Sequence, residues 1–316
     1  MTEPVARIYR RFAEREAGGR SPIYRDISRR VAADPEVLAF VAALPRPKWQ
    51  PNLFYGAVQY LCGPIRGWPS FRVSFAERAG EIREVMLART TQTNEPARCA
   101  TLLPALAGLP QPLALLEVGA SAGLCLQPDR YGYDYGRVRI PGELMLPCKA
   151  NDATPLPTRV PEVAWRAGLD LNPLDVRDPD DCAWLEALIW PGEEERIPRL
   201  RAALEIARRD PPPVHQGDLR ADFLALAAQA PRDATLVVFH TAVLAYVRDP
   251  ADRAAFADAV AESGAVWLSN EAPGATPPPG IGPEHDAVLS RDGAVLTRDR
   301  DPIAYTDPHG TWLDWL

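Results

Sequence analysis

A chain of 316 residues with 47% hydrophobic and 24% charged side chains has the composition of a globular protein, long enough to bury a core of native size and to hold an accessory domain. Its five cysteines (Cys62, Cys99, Cys125, Cys148 and Cys182) are odd in number, widely spaced and free of any CxxC pair, which argues against a disulfide framework or a zinc site and for a reducing, cytoplasmic setting. No apolar run approaches the roughly 18 residues of a bilayer span, and Glu3, Glu14 and Glu16 argue against a signal or transit peptide, so no membrane partner is expected.

The formal charge of −7 is unevenly placed, with a net +6 over residues 1–110 and −13 over the remainder. A basic front third would attract an acidic partner, but Arg10, Arg11, Arg29 and Arg30 read better as solvated helix faces. No basic run is interleaved with aromatics, so nucleic acid is not an expected partner. The 34 prolines and the presence of only two lysines, Lys48 and Lys149, read as genome composition.

Residues 1–110 read as a helical N-terminal domain. Val5, Ile8, Tyr9 and Phe12 form one apolar stripe, Pro35 opens a segment to Leu44, and Phe71–Thr90 and Pro96–Leu106 give two more helices. On the helix from Asn52 to Cys62, Asn52, Tyr55 and Gln59 fall at i, i+3 and i+7, which puts two amides and a phenol on one otherwise apolar face. They are either a substrate-contacting face covering the carboxyl end of the following sheet, or capping and satisfied polar groups.

After two prolines, Leu113, Leu115, Leu116 and Val118 form a short apolar run, the mark of a strand covered on both faces. It ends in Glu117 and the loop Gly119-Ala120-Ser121-Ala122-Gly123. As a glycine-rich turn the loop lets backbone approach a ligand. As GxSxG it matches a nucleophile elbow with Ser121 attacking. The elbow lacks its scaffold, because residues 1–110 contain no histidine, read as helices and offer no oxyanion-hole loop.

Downstream, Pro128 leaves room for little more than one helical turn after Leu124, and an insertion of about 124–162 follows. Within it DRYGYDYG alternates as a hairpin or edge strand would, and the insertion is either a lid or the mark of a lost site. Strands are expected at Val163–Leu169 before Asp170, at Pro213–Gln216 before Gly217-Asp218, at Thr235–Phe239 before His240, and at Ala265–Ser269 before Asn270-Glu271. Helices at Asp181–Arg209, Ala221–Gln229 and Asp252–Glu262 separate them, and Ala287–Ser290 with Ala294–Thr297, joined by Arg291-Asp292-Gly293, read as a closing hairpin. His215, His285 and His309 show no metal-ligand spacing, and the terminal Trp312, Trp315 and Leu316 suggest a packed end.

One helix per strand behind an acid-x-Gly-x-Ser-x-Gly loop resembles the class I S-adenosylmethionine-dependent methyltransferases from about residue 111 to the end. The middle glycine is serine here, and Asp170 follows Gly123 by 47 positions rather than the usual roughly 20. The resemblance implies an α/β domain over 111–316 with a Rossmann-like, methyltransferase-type sheet. Glu117, Gly119, Ser121 and Gly123 would then lie along S-adenosylmethionine, Asp170 on its ribose diol and Asp218 on the adenine amino group. His240 or Glu271 would remove a proton from an oxygen or nitrogen of a small or medium-sized acceptor, held by Asn52, Tyr55 and Gln59. The rival expectations are a non-catalytic module of the same fold that binds a nucleotide or protein, and a serine hydrolase using Ser121. More narrowly, EVGASAGL, DRYGYDYG, GLDLNPLDV, IWP and HGTWLDWL resemble the bacterial domain-of-unknown-function family 2332 over nearly the whole length, a family that supplies no activity.

Overall fold

The computed structural model of the protein describes residues 2–92, 94–271, 294–299 and 301–316. The chain divides into two compact units, one of Met1–Thr93 with Arg177–Arg201, the other of Asn94–Val176 with Ala202–Leu316. The boundary expected at residue 110 therefore falls earlier, and a later segment joins the helical unit.

Helices α1 (Glu3–Arg15), α2 (Pro22–Val31), α3 (Pro35–Ala42), α4 (Pro51–Cys62) and α5 (Trp68–Ala88) form most of the first unit. The next helix, α6 (Arg98–Ala107), belongs to the second unit and is buried from Arg98 to Leu106, too apolar to stand on a surface. Helix α7 (Pro179–Ala187) returns to the first unit, and α8 (Arg196–Arg209) carries the chain out of it. The single helix expected over 181–209 is thus split, because Pro191 and Gly192, the latter at φ +96°, break it. Proline has more weight here than composition suggests. It occupies the first or second position of α1, α2, α3, α4, α5 and α7, where its missing N–H costs nothing. Ser21, Asp34 and Asp178 cap the freed amides of α2, α3 and α7.

The second unit is built on a nine-stranded sheet and a smaller three-stranded one. Its strands are β1 (Leu113–Val118), β2 (Gly132–Asp134), β3 (Arg139–Ile140), β4 (Met145–Pro147), β5 (Lys149–Ala150), β6 (Val163–Asp170), β7 (Val214–Gln216), β8 (Thr235–Thr241), β9 (Val266–Glu271), β10 (Ala294–Arg298), β11 (Asp301–Thr306) and β12 (Trp312–Trp315). Helices α9 (Phe223–Ala227) and α10 (Pro250–Ser263) lie between β7 and β9 in sequence. The large sheet runs β5-β12-β11-β10-β9-β8-β1-β6-β7. Its β7, β6, β1, β8 and β9 are mutually parallel, and β10, β11 and β12 continue it antiparallel. This is a mixed α/β architecture with a large, mostly parallel sheet. The chain leaves β1 toward β6 and β7 on one side and returns to β8 and β9 on the other. Open α/β sheets bind ligands at such a reversal, outside the carboxyl ends of the strands.

All six residues of β1 are buried, as an apolar run covered on both faces requires. Leu116, Val118, Ala167, Leu169, Val238, Phe256 and Trp267 pack into one core around it. Of the expected closing hairpin, the second run is β10; Ala287–Ser290 and its turn lie outside the described residues. Two strands beyond it, β11 and β12, have no counterpart in the sequence reading, and the packed terminus is β12 itself. In the insertion, β2 is the centre of the small sheet rather than an edge, antiparallel to β3 and parallel to β4. Tyr131, Tyr133 and Tyr135 are buried and donate to the carbonyls of Leu124, Pro128 and Ala100, so the alternating aromatics anchor the insertion. Among the described residues no helix is long and apolar enough to cross a membrane.

Candidate functional site

The loop after β1 turns through left-handed backbone at Gly119 (φ +71°), Ser121 (φ +55°) and Gly123 (φ +72°). Its amides are used internally. Those of Gly119 and Ala120 donate to Leu169 O at 2.7 and 3.4 Å, that of Ser121 to Asp170 Oδ2 at 2.8 Å, and that of Gly123 to Ala120 O at 2.7 Å. Asn94 clamps the loop, accepting from Leu124 N at 2.9 Å and donating to Ala120 O at 3.2 Å. The glycines allow close packing: a Cβ on Gly119 would lie 2.4 Å from Val243 Cγ2, and one on Gly123 would lie 2.7 Å from Pro212 Cγ. After Gly123 comes only a buried 3₁₀ turn, Leu124–Leu126, the stunting that Pro128 imposes.

Two polar atoms of this region, Glu117 Oε2 and Ser121 Oγ, are buried without a hydrogen-bond partner among the described residues. Burial pushes the Glu117 carboxyl well above the usual carboxylate range; the nearby Cys125 thiol and Asp170 raise it further, against the opposing pull of Arg98. A carboxyl raised in the folded state binds its proton there more tightly than in the unfolded chain. Its contribution to stability is present at acid pH and is lost as pH rises from the ordinary glutamate range through the folded value. Glu117→Gln should therefore gain thermal stability over the native protein at pH 8 but not at pH 4. A difference independent of pH would show that Glu117 ionises freely.

The expected catalytic pair is hydrogen-bonded together in the interior of the second unit, with Glu271 Oε2 left without a partner among the described residues. His240 is fully buried. Its Nε2 accepts from the Trp267 indole N–H at 3.0 Å, which places the ring proton on Nδ1, and that proton is donated to Glu271 Oε1 at 2.6 Å. Glu271 Oε1 also accepts from the amides of Val243 at 2.8 Å and Leu244 at 3.2 Å, fixing the turn that lies on Gly119. Both ring nitrogens of His240 are committed, so it is no base for an acceptor. Nor is it one for Ser121, whose hydroxyl has no hydrogen bond among the described residues. The nucleophile–base pair of a serine hydrolase is thus not formed among the described residues.

Asp218 is held below the ordinary aspartate range by the Arg220 guanidinium hydrogen-bonded to it, in a local ion pair that Asp252 joins. It is committed to that turn rather than to a ligand. Asp170 stands at the tip of β6 as expected, with Oδ2 on Ser121 N and Oδ1 on Asn172 N at 2.8 Å.

The three residues expected on the acceptor belong to the helical unit, Tyr55 buried and Asn52 and Gln59 half-buried. Tyr55 is completely buried among Tyr9, Phe12, Tyr24, Phe54 and Phe71, and its hydroxyl bonds Ser28 Oγ at 2.7 Å. Gln59 donates to the carbonyls of Ala187 and Ile189 at 2.8 and 3.0 Å, and Asn52 Oδ1 is buried and unpaired. Tyr55 and Gln59 turn to α2 and to the end of α7, where a phenol and an amide satisfy a hydroxyl and two backbone carbonyls. Sequence reasoning missed Asn94 and Val243, which touch the loop, and Arg98, which acts electrostatically on Glu117. They precede or follow the strands that carry the motif, and nothing in their own spacing marks them.

The second unit is that of an α/β protein whose mostly parallel sheet carries a glycine-containing loop and buried carboxyls at its topological reversal. Over residues 6–315 the chain matches the family described as an uncharacterized protein conserved in bacteria (DUF2332), and it belongs to that family. No curated protein and no solved structure matches it.

Proposed function

We propose that the second unit is a Rossmann-like, methyltransferase-type domain that takes S-adenosylmethionine at the Gly119 loop and serves methyl transfer to an oxygen or nitrogen of a small acceptor. The observation that carries the reading is the pair of unpaired buried atoms, Glu117 Oε2 and Ser121 Oγ, beside the loop at the sheet's reversal. Buried polar groups are nearly always satisfied, and two left open near a glycine turn fit a polar ligand. Glu117 and Ser121 would meet its hydroxyl or ammonium groups, and Asp170 would hold the loop to them through Ser121 N. When bound, the cofactor supplies a methyl group activated on a sulfonium. The protein's own part is orientation, since His240 and Glu271 are committed to each other.

A second reading, a binding module of the same fold without catalysis, is favoured by the internally bonded loop amides and by Val243 packed on Gly119. Calorimetric titration of the whole chain with S-adenosylhomocysteine decides between them. Saturable heat with a rise in melting temperature is expected from the first reading. A folded protein giving neither at millimolar ligand would establish the second.

A further inference from the structure

Two of the five cysteines meet inside the second unit. Cys99 lies in the first turn of α6 and Cys125 in the 3₁₀ turn that follows the Gly119 loop, and both are buried free thiols. Cys99 Sγ donates to Cys125 O at 3.6 Å, and Cys125 Sγ donates to Glu95 O at 3.4 Å, one helical turn before Cys99. Each thiol thus reaches the backbone that carries the other. The thiols also meet each other, since hydrogen bonding to the Cys99 thiol, and after it burial, pushes the Cys125 thiol well above the ordinary range.

The backbone beside both cysteines is fixed. Tyr131 donates to Leu124 O at 2.8 Å and Tyr135 to Ala100 O at 2.7 Å, the neighbours of Cys125 and Cys99. Leu124 N is held by Asn94 Oδ1 at 2.9 Å. A disulfide tolerates little error in the placement of its two chains, and here each cysteine has a pinned neighbour. Joining them would cost little hydrogen bonding, because it removes two weak S–H donors and Glu95 O keeps the amide of Arg98 at 3.2 Å. Burial also selects the oxidant. Neither side chain is more than 2% exposed, so a small molecule that enters during brief local openings reacts where a bulky one does not.

We propose that Cys99 and Cys125 form a redox-active pair that a small hydroperoxide converts into a disulfide, tying the turn after the Gly119 loop to α6. With hydrogen peroxide, one sulfur attacks as its thiolate, the O–O bond breaks, and a sulfenic acid forms as the first water leaves. The second thiol attacks that sulfur, the S–O bond breaks, and the second water leaves. Two thiols are oxidised by two electrons and one peroxide is reduced to two waters. A dithiol reverses the reaction by exchange. The loop, clamped by Asn94 in the reduced protein, is then held covalently two residues after Gly123.

The test treats the folded full chain with hydrogen peroxide, alkylates the remaining thiols after denaturation and maps the peptides by mass spectrometry. The expected product is a peptide pair joined through Cys99 and Cys125 and two hydrogens lighter than its separate members. The melting temperature should rise by about 5 °C and return on treatment with a dithiol. Cys99→Ala should lose that response, whereas Cys62→Ser, at the exposed cysteine, should keep it. Both buried thiols still free once Cys62 has been oxidised would overturn the proposal, as would a cross-link formed only in the denatured chain. A response lost in Cys62→Ser would place the effect at the surface, and a cross-link without a change in melting temperature would show a bond that locks nothing; each also overturns it. Should Cys99→Ala not fold, the peptide map of the native protein decides.

Discussion

Glu271→Ala is expected to lower folding stability by about 3–5 kcal/mol, because several buried donors lose their acceptor at about 1–3 kcal/mol each. One oxygen, Oε1, accepts from His240 Nδ1 and from the amides of Val243 and Leu244, and the carboxylate is almost wholly buried. Alanine leaves a buried imidazole N–H and two amides unsatisfied and opens a cavity beside them. Glu271→Gln keeps an acceptor oxygen in the same place and should cost much less, about 1–2 kcal/mol, the difference between a charged and a neutral acceptor. Urea denaturation at neutral pH measures both. A base in an open site would behave otherwise, since replacing an exposed carboxylate typically changes stability by less than about 0.5 kcal/mol. A Glu271→Ala protein as stable as the native one would therefore return Glu271 and His240 to the list of accessible acid–base groups. The mutation should also loosen the turn that sets Val243 against Gly119.

The parallel half of the sheet was legible because four of its five strands have their own apolar run and a turn or polar residue after it, while β7, Val-His-Gln, is marked only by the Gly217-Asp218 turn that follows. The run in β1 and the polar ends of β6, β8 and β9 stand out without any neighbour. The antiparallel half was not. Strand β11 contains Asp301 and Pro302 and alternates only partly, and β12, four residues long, has the composition of a packed end but is too short to be read as a strand before it pairs with β11 and β5. The stunted helix after Gly123 followed from Pro128, because a proline acts locally. Glu117, Gly119, Ser121, Gly123 and Asp170 were found for the same reason: the motif is local. What the side chains do with their polar atoms was not legible. His240 looks identical in sequence whether it faces a cleft or Trp267, and Tyr55 whether it faces a substrate or Ser28. Those roles are set by contacts between residues tens to hundreds of positions apart. Arg98 is the converse case. In sequence it is one arginine among many, and only the structure shows it buried against neutral acceptors.

Gly310→Ala should destabilise the protein far more than Gly136→Ala, although both glycines have φ +79°. The shared backbone angle makes the left-handed penalty common to both, about 1–2 kcal/mol for a residue with a Cβ. At Gly136 nothing lies within 4 Å of the added methyl, so that penalty is the whole expected loss. At Gly310 the methyl would lie 2.1 Å from Ala97 O, 2.3 Å from Ala97 C and 2.8 Å from Arg98 N, all backbone atoms that no rotamer change can move. Overpacking against rigid neighbours typically adds about 1–3 kcal/mol, giving an expected loss of about 2–5 kcal/mol in all. The clash also has a direction. It pushes the loop bearing Pro308 away from the start of α6, so the Arg98 Nε bond to Pro308 O should break first and the hold on Thr241 should follow. Melting temperatures of the two variants give the stability difference. Equal losses in the two variants would mean that the terminal loop does not press on α6, and that Arg98 is held in place by Thr241 alone.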